Sequence, residues 1–327
     1  MFYTLLSLLL AISIRMTAST LVDPDDEYYK SKQKSYLDAI ELADAWRTII
    51  ERGYRVRSSV AIIGFGINYI HPDLDETASD GYDVVTKGGC EEDRDGNGTP
   101  LAGIIGATID NEIGIAGVTE AIDLMPICID SYLNDPHVAA AINYAVDKNF
   151  GVILYPSARY GPFSSDVVAA LKRASNANIS IVCPAGDDGK DISAAGEQVY
   201  PCKYTDDIDG VICVTGTYRD IMLLSDDSNY APYVDIAAPM EVFTTTVSNG
   251  YGVAKGTPYS AALVAGIVAL MKTSSVGTLT AEKVKYILQQ SSDLGVTSDE
   301  GLTMQFGRVN VLEAIKMVIK GVSNAPI

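Results

Sequence analysis

Hydrophobic residues along the chain alternate between short β-branched runs and longer segments with helical spacing. The run Val60–Ile63 is apolar at consecutive positions and ends in Gly-Phe-Gly, which predicts a strand buried on both faces. Similar runs recur at 124–129, 151–155, 179–183, 211–214 and 234–238. Helical patterns occupy residues 36–46, 99–107, 136–148, 165–176, 257–272, 281–291 and 309–320. Strands that alternate with helices predict an α/β fold, in which helices cover both faces of a mostly parallel sheet.

The beginning of the chain does not follow this pattern. Residues 1–14 are apolar and small residues follow at 18–20, so residues 1–20 are interpreted as a signal peptide, with an uncleaved anchor as the alternative. Residues 21–34 are charged and lack periodicity, which predicts an exposed leader. The remainder, residues 35–327, is expected to form one domain.

Composition narrows the class of protein. The chain has 327 residues, 47% of them hydrophobic, and a formal net charge of −18. This charge argues against nucleic acid or an anionic membrane as a partner, beyond the membrane contact of the signal peptide itself. With the signal peptide, it predicts a secreted or lumenal protein, which we expect to be a monomer.

Five cysteines in an exported chain allow two disulfides and one spare thiol. Cys202 and Cys213 bracket a turn-rich loop and are the preferred pair. Cys90 lies in a loop and is a further candidate. Cys128 and Cys183 lie inside apolar, strand-like runs, which favours buried free thiols at both positions. Spacing alone does not decide the connectivity.

The stretch from Gly256 to Gly266 reads Gly-Thr-Pro-Tyr-Ser-Ala-Ala-Leu-Val-Ala-Gly. A glycine turn followed by small and apolar residues predicts a buried helix whose first N–H groups point at whatever lies in front of it. The stretch resembles the Gly-Thr-Ser-x-x-Ala/Ser-x-x-x-Ala-Gly helix of subtilisin-like serine proteases, whose first serine is the nucleophile. That serine is Pro258 here, which lacks both the hydroxyl and a backbone N–H that would help to hold the oxyanion.

Two other segments resemble the remaining triad motifs of this family. Residues 60–74 are similar to Val-Ala-Val-Ile-Asp-x-Gly-Ile-x-x-x-His-Pro-Asp-Leu, which places the orienting aspartate at Gly64. Asn97 begins a segment similar to His-Gly-Thr-His-Val-Ala-Gly and stands at the position of the base. An amide does not accept a proton at neutral pH. The two histidines, His71 and His137, leave a base in an unrelated arrangement as the alternative.

The oxyanion position and the substrate groove also depart from the family pattern. Asp187 replaces the asparagine of Ala-Ala-Gly-Asn-x-Gly, and an ionised carboxylate would repel the developing oxyanion. In the related sedolisins a protonated aspartate serves there, together with serine and glutamate motifs that we do not find in this chain. The strand that would pair with substrate, Asn-Met-Ser-Leu-Gly-Gly in the family, corresponds to Leu154, Tyr155, Pro156, Ser157, Ala158 and Arg159. Pro156 removes a backbone donor, and Arg159 either attracts an acidic partner or is solvated, the solvated state being favoured.

One functional constellation of the family is retained. Residues 109–118 resemble the calcium loop of bacterial subtilisins. The resemblance implies Ca²⁺ ligands from the side chains of Asp73 and Asn111 and from the carbonyls of Ile109, Ile113 and Ile115. Oxygen ligands of this kind suit calcium. The alternative is a loop that keeps its shape without metal.

The resemblance covers residues 36–312 and implies a subtilisin-like three-layer fold with a sheet of about seven strands. No propeptide domain is expected between the signal peptide and this domain. With all three triad positions substituted, we expect a pseudoprotease with a binding or regulatory role, whose partner is a polypeptide or an active protease relative. The alternatives are a serine endopeptidase with residual or relocated activity and a duplicate without selected activity.

Overall fold

The computed structural model describes residues 23–53, 56–90, 93, 95–129, 134–299 and 301–321. Its centre is a sheet of seven parallel strands, which are β1 (Ser58–Gly64), β2 (Tyr82–Asp83), β3 (Ile122–Cys128), β4 (Val152–Leu154), β6 (Ser180–Pro184), β8 (Val211–Thr217) and β9 (Ile236–Pro239). Their order across the sheet is β2-β3-β1-β4-β6-β8-β9. The predicted α/β fold class is confirmed.

Two antiparallel ribbons accompany the sheet. They pair β5 (Arg159–Tyr160) with β7 (Val199–Tyr200), and β10 (Glu241–Thr245) with β11 (Tyr251–Lys255). The sequence did not predict them. Strands of two residues carry no detectable period. In β10 the buried positions include Thr244 and Thr245, so burial there does not leave an alternating hydrophobic pattern.

Helices cover both faces of the sheet and complete three layers. They are α1 (Lys34–Asp38), α2 (Leu42–Ile50), α3 (Gly98–Gly106), α4 (Asp135–Asp147), α5 (Ser165–Asn176), α6 (Thr257–Ser274), α7 (Ala281–Ser291) and α8 (Val311–Lys320). The apolar helix α6 crosses one face, between the sheet and α3 and α8, while α4 and α5 pack together on the other face. Because α6 is apolar all round, burial on every side stabilises it. Within the described residues, no helix is both long and apolar enough to cross a lipid bilayer.

The N-terminal segment corrects one prediction. Residues 23–34 are not an exposed leader, because Asp26, Tyr29 and Gln33 are buried. The Gln33 amide donates to the carbonyl of Ala116 and accepts from its N–H, both at 2.9 Å. The segment lacks a periodic apolar face because single side chains, rather than one helix face, dock it. The predicted signal peptide, residues 1–20, lies outside the described residues.

The first predicted helix is divided in the structure. Helix α1 ends at Asp38 and α2 begins at Leu42, with Glu41 between them in the left-handed region at φ 56°. Apolar spacing runs through this break because both helices bury the same side against the core. The period therefore predicted the helical segment but not its interruption.

The structure shows which cysteines form the two disulfides. Cys202 and Cys213 form the predicted disulfide. A second disulfide joins Cys90 to Cys128, so the expectation of a free thiol at Cys128 is wrong. An apolar strand run conceals this pair because Cys128 ends β3 next to the loop that carries Cys90. Cys183 is a buried free thiol, as predicted.

Candidate functional site

Three segments that carry the expected triad positions meet at the carboxyl edge of the sheet. Strand β1 ends there at Gly64, and α3 and α6 both begin there. A Cβ added at Gly98 would overlap the carbonyl oxygen of Gly66, so only glycine lets α3 start this close to the end of β1. The fold thus brings together the neighbourhoods of Gly64, Asn97 and Pro258.

Gly64 has a backbone conformation that disfavours a side chain. Its φ is +127°, a region open almost only to glycine. No heavy atom lies within 4 Å of the Cβ that another residue would carry, so space is not what excludes one. An aspartate at this position would be strained by the backbone as it stands.

The start of α3 is capped by a residue other than Asn97. The buried Asp93 carboxylate accepts hydrogen bonds from the N–H groups of Gly96, Asn97 and Thr99 at 3.0, 3.2 and 2.7 Å. The Asn97 side chain is exposed and makes no capping hydrogen bond. Asn97 therefore offers an uncharged amide at the sheet edge, without basic character.

A carboxylate occupies the start of α6. Oδ1 of Asp187 accepts a hydrogen bond from the N–H of Thr257 at 2.7 Å. Its Oδ2 lies 3.0 Å from the position that a Cβ at Gly256 would occupy, and Pro258, which follows Thr257, has no N–H to offer. Asp187 thus caps the electropositive end of α6, where an anion would otherwise bind. Sequence analysis identified Asp187 but missed this role, because it and Thr257 are 70 residues apart.

The loop that carries Asp187 is firmly held. The N–H of Gly186 donates to Oγ1 of Thr257 at 3.1 Å. On its other side, the buried Asn229 side chain accepts from the N–H groups of Asp188 and Lys190 at 3.2 and 2.9 Å. The capping carboxylate is therefore fixed from both sides of its loop.

The strand expected to line the groove lies close to the loop that carries Asp187. The Cβ of Ala158 lies 3.8 Å from the position that a Cβ at Gly186 would occupy. At the surface, the exposed Tyr160 phenol donates to the Asp188 carboxylate at 2.7 Å and links β5 to the loop that follows β6. A side chain that entered between Ala158 and Gly186 would meet the Ala158 methyl group.

Arg159 is engaged within the chain. Its Nη1 donates to Asp135 at 2.6 Å and Nη2 to the carbonyl of Pro162 at 2.8 Å. The guanidinium also lies 4.0 Å from the centre of the Phe163 ring. The expected solvated state of Arg159 is therefore wrong, since Asp135 and Phe163 hold it against the surface of the protein.

His71 is committed to structural contacts. It is buried, its Nδ1 accepts from the N–H of Asp73 at 3.1 Å, and its Nε2 lies 3.2 Å from the carbonyl of Gly250. Burial lowers the pKa of the imidazole. Both ring nitrogens are used, so His71 is not placed as a general base. His137 lies in the first turn of α4.

Left-handed residues alternate along the predicted calcium loop. Asp110, Glu112 and Gly114 are left-handed at φ 58°, 65° and 57°, in alternation with the predicted carbonyl ligands at Ile109, Ile113 and Ile115. This arrangement is costly for the two non-glycine residues and needs compensating contacts.

Two buried carboxylates face this loop. Asp73 accepts hydrogen bonds from Nδ2 of Asn111 and from the N–H of Ile115, both at 2.9 Å. Asp26 accepts from the N–H of Asp110 at 3.1 Å through one oxygen, while its other oxygen has no hydrogen-bond partner among the described residues. Burial raises the pKa of Asp26 to about 7 and that of Asp73 to about 6.

Carboxylates of the kind that bind a hard divalent cation meet between the N-terminal segment and this loop. Asp25, Asp26 and Asp110 offer carboxylate oxygens that all lie within 4.8 Å of one another. A buried carboxylate oxygen without a partner is costly, and a cation would compensate it. The N-terminal segment therefore supplies a candidate ligand, Asp26, that sequence analysis did not identify. Its position after a supposed leader concealed it.

Comparison with known proteins agrees with this architecture. The model of the subtilase family matches residues 57–308. The chain is 28% identical to a thermophilic serine proteinase of Bacillus sp. (strain AK1), over 89% of this chain and 69% of that protein. It is 27% identical to thermitase of Thermoactinomyces vulgaris, over 90% and 99%. A protease of Pseudoalteromonas arctica superposes with a TM-score of 0.75 at 22% identity, over 91% of this chain and all of that one. With a family match across most of its length, the chain belongs to the subtilase family.

Proposed function

We propose that this subtilase does not hydrolyse peptide bonds and is instead a secreted binding or regulatory protein. The observation that carries the proposal is the capping of α6, where the Asp187 carboxylate takes the Thr257 N–H immediately before Pro258. Peptide hydrolysis on this fold would need a nucleophile, a base and donors for an oxyanion at this edge. Gly64, Asn97 and Pro258 supply neither the nucleophile nor the base.

The charge at the start of α6 argues against the alternative of residual endopeptidase activity. The part of triad-mutant activity that survives depends largely on oxyanion stabilisation. Here one potential donor is a proline and the neighbouring N–H is bound to a carboxylate. A developing oxyanion would meet a negative charge instead of hydrogen-bond donors.

The residues of the expected substrate groove disfavour an extended peptide as the partner. An extended peptide bound as a substrate would lack the backbone donor that Pro156 removes and would meet the Ala158 methyl group. A polypeptide partner, such as an active protease relative, would instead bind the outer surface of the domain. Export of the chain rests on the apolar segment at residues 1–14.

We further propose a structural role for calcium. The ligands would be Asp73, Asn111 and the loop carbonyls, with Asp26 from the N-terminal segment. A bound cation would offset the mutual repulsion of the buried carboxylates and attach the N-terminal segment to the domain. It would supply no chemistry at the sheet edge.

Hydrolysis of labelled casein tests the proposal. The mature chain, with calcium and from mildly acidic to alkaline pH, is compared with thermitase as the active control and with an Asp187→Ala variant. We expect no turnover above the buffer blank from either form of this chain. Turnover that survives purification and is abolished by Asp187→Ala would contradict the proposal and make Asp187 part of an active site.

A further inference from the structure

Three of the five cysteines lie in one buried cluster where β6 and β8 pair. The free thiol of Cys183 in β6 lies 3.8 Å from Sγ of Cys202, which is bonded to Cys213 in β8. Cys183 and Cys213 are register partners on these neighbouring parallel strands. Cys202 thus faces two cysteines and is bonded to only one of them.

The surroundings hold the three sulfur atoms in place. All three residues are fully buried. The Cys183 thiol also lies 3.5 Å from the carbonyl oxygen of Ile212, and Sγ of Cys202 lies 3.2 Å from that of Pro184. The 3.8 Å between the sulfur atoms of Cys183 and Cys202 is about a van der Waals contact, so a bond of about 2.05 Å requires the two side chains to close by roughly 1.8 Å.

We propose that Cys183 is the alternative disulfide partner of Cys202, so that the chain can hold either a Cys202–Cys213 or a Cys183–Cys202 disulfide. In the exchange, the thiolate of Cys183 attacks Sγ of Cys202 and the Cys202–Cys213 bond breaks. Cys213 leaves as a thiolate and takes up the proton that Cys183 released. No oxidant is consumed, because one disulfide and one thiol are present before and after.

The two disulfides would connect different parts of the site. Cys202–Cys213 joins the turn at Cys202–Asp206 to β8, whereas Cys183–Cys202 would join the same turn to β6, whose end leads to Asp187. Burial, and to a smaller extent the Asp235 carboxylate, raise the pKa of the Cys183 thiol, while Lys285 acts in the opposite direction. The neutral thiol therefore prevails in the closed fold, so the exchange is slow and proceeds through the small fraction of Cys183 that is ionised. The inference does not depend on whether the chain is proteolytically inactive.

Removal of Cys213 tests the proposal. In folded Cys213→Ala, oxidised by a glutathione buffer, we expect Cys183 to pair with Cys202. Alkylation by N-ethylmaleimide under denaturing, non-reducing conditions would then detect no free thiol, against one in the wild type, and peptide mapping would recover the crosslinked peptides. The matched control is the double variant Cys183→Ala/Cys213→Ala, in which Cys202 stays reduced and one thiol is labelled.

Two free thiols in folded Cys213→Ala would overturn the proposal. If that variant does not fold, the disulfide pairing of Cys183 is tested in the wild type. After incubation in reduced and oxidised glutathione, peptide mapping should recover the Cys183–Cys202 crosslink beside Cys202–Cys213. Recovery of Cys202–Cys213 alone, with the Cys90–Cys128 disulfide as an internal reference, would equally overturn it.

Discussion

At the start of α6, the sequence reveals the substituted residue but not the hydrogen bond that caps the helix. The substitution at Pro258 is evident from the motif, since the surrounding glycines, alanines and serine match the family helix. The capping bond from Thr257 to Asp187 is not, because it joins residues 70 positions apart and no local pattern links them. The same holds for Asp26, whose burial beside Asp110 depends on how the N-terminal segment folds back.

The cap at Asp187 makes a stability prediction. Asp187→Ala removes the acceptor of the Thr257 N–H and a negative charge at the electropositive end of α6, so it should lower the free energy of unfolding by about 1 kcal/mol. Asp187→Asn keeps a capping oxygen and should cost less. Urea unfolding measures both. The exposed Asp209→Ala serves as the control, and a loss for Asp187→Ala no larger than the control's would refute the capping role.

The buried carboxylates predict a calcium response. At pH 8 an excess of calcium should raise the melting temperature by a few degrees, because cation binding stabilises only the folded chain. The response should shrink in Asp26→Asn and should weaken below about pH 6, since protons compete at carboxyls whose pKa values are raised to about 7 and about 6. Differential scanning calorimetry with a chelator as reference measures it, and Asp209→Asn is the control. An equal rise in Asp26→Asn would exclude Asp26 as a ligand.

Among the secondary-structure elements, hydrophobic periodicity predicted the buried strands and the long helices but few of the others. The buried strands of the central sheet and the long helices were found because burial on both faces or on one stripe leaves a pattern in the sequence. The break at Glu41 and the β5–β7 ribbon leave none, because a left-handed residue and a pair of two-residue strands depend on their neighbours in space. The five-residue strands β10 and β11 were also missed, since polar residues occupy buried positions in β10.

Helix α6 carries a partly buried lysine near its C-terminal end that predicts a pH dependence. Nζ of Lys272 donates to the carbonyl of Asn178 at 2.7 Å, and burial lowers its pKa to about 8. The unfolded chain keeps this proton to higher pH than the folded chain does. Stability should therefore rise between about pH 8 and pH 10, by on the order of 2 kcal/mol. Lys272→Met should abolish the rise.

Chemical unfolding across this pH range provides the measurement. The exposed Lys172→Met is the matched control, since it should reproduce the wild-type profile apart from a constant offset. A wild-type profile with the same slope as that of Lys272→Met would show that Lys272 does not titrate as the structure indicates.

For the whole molecule, the fold preserves the framework of a subtilase while the sheet edge differs in chemistry. Gly64, Asn97 and Pro258 lie on the segments that converge there, and a helix start that would attract an anion is already occupied by Asp187. Beside it, Pro156 and Ala158 replace the backbone donor and the open space that an extended substrate would use. If the proposed function is correct, the molecule retains the subtilase fold as a stable scaffold and binds its partner through the surface of the domain.

Covalent labelling by a fluorophosphonate tests this account most directly, because the small probe reports an activated serine hydroxyl without requiring an open groove. The folded chain, with calcium at pH 8, is compared with thermitase and with the same chain after heat denaturation. If the chain has no activated serine, the folded chain is labelled no more than the denatured chain, while thermitase is labelled. Stoichiometric labelling of one residue in the folded chain, lost on denaturation, would reveal an activated nucleophile and contradict the account.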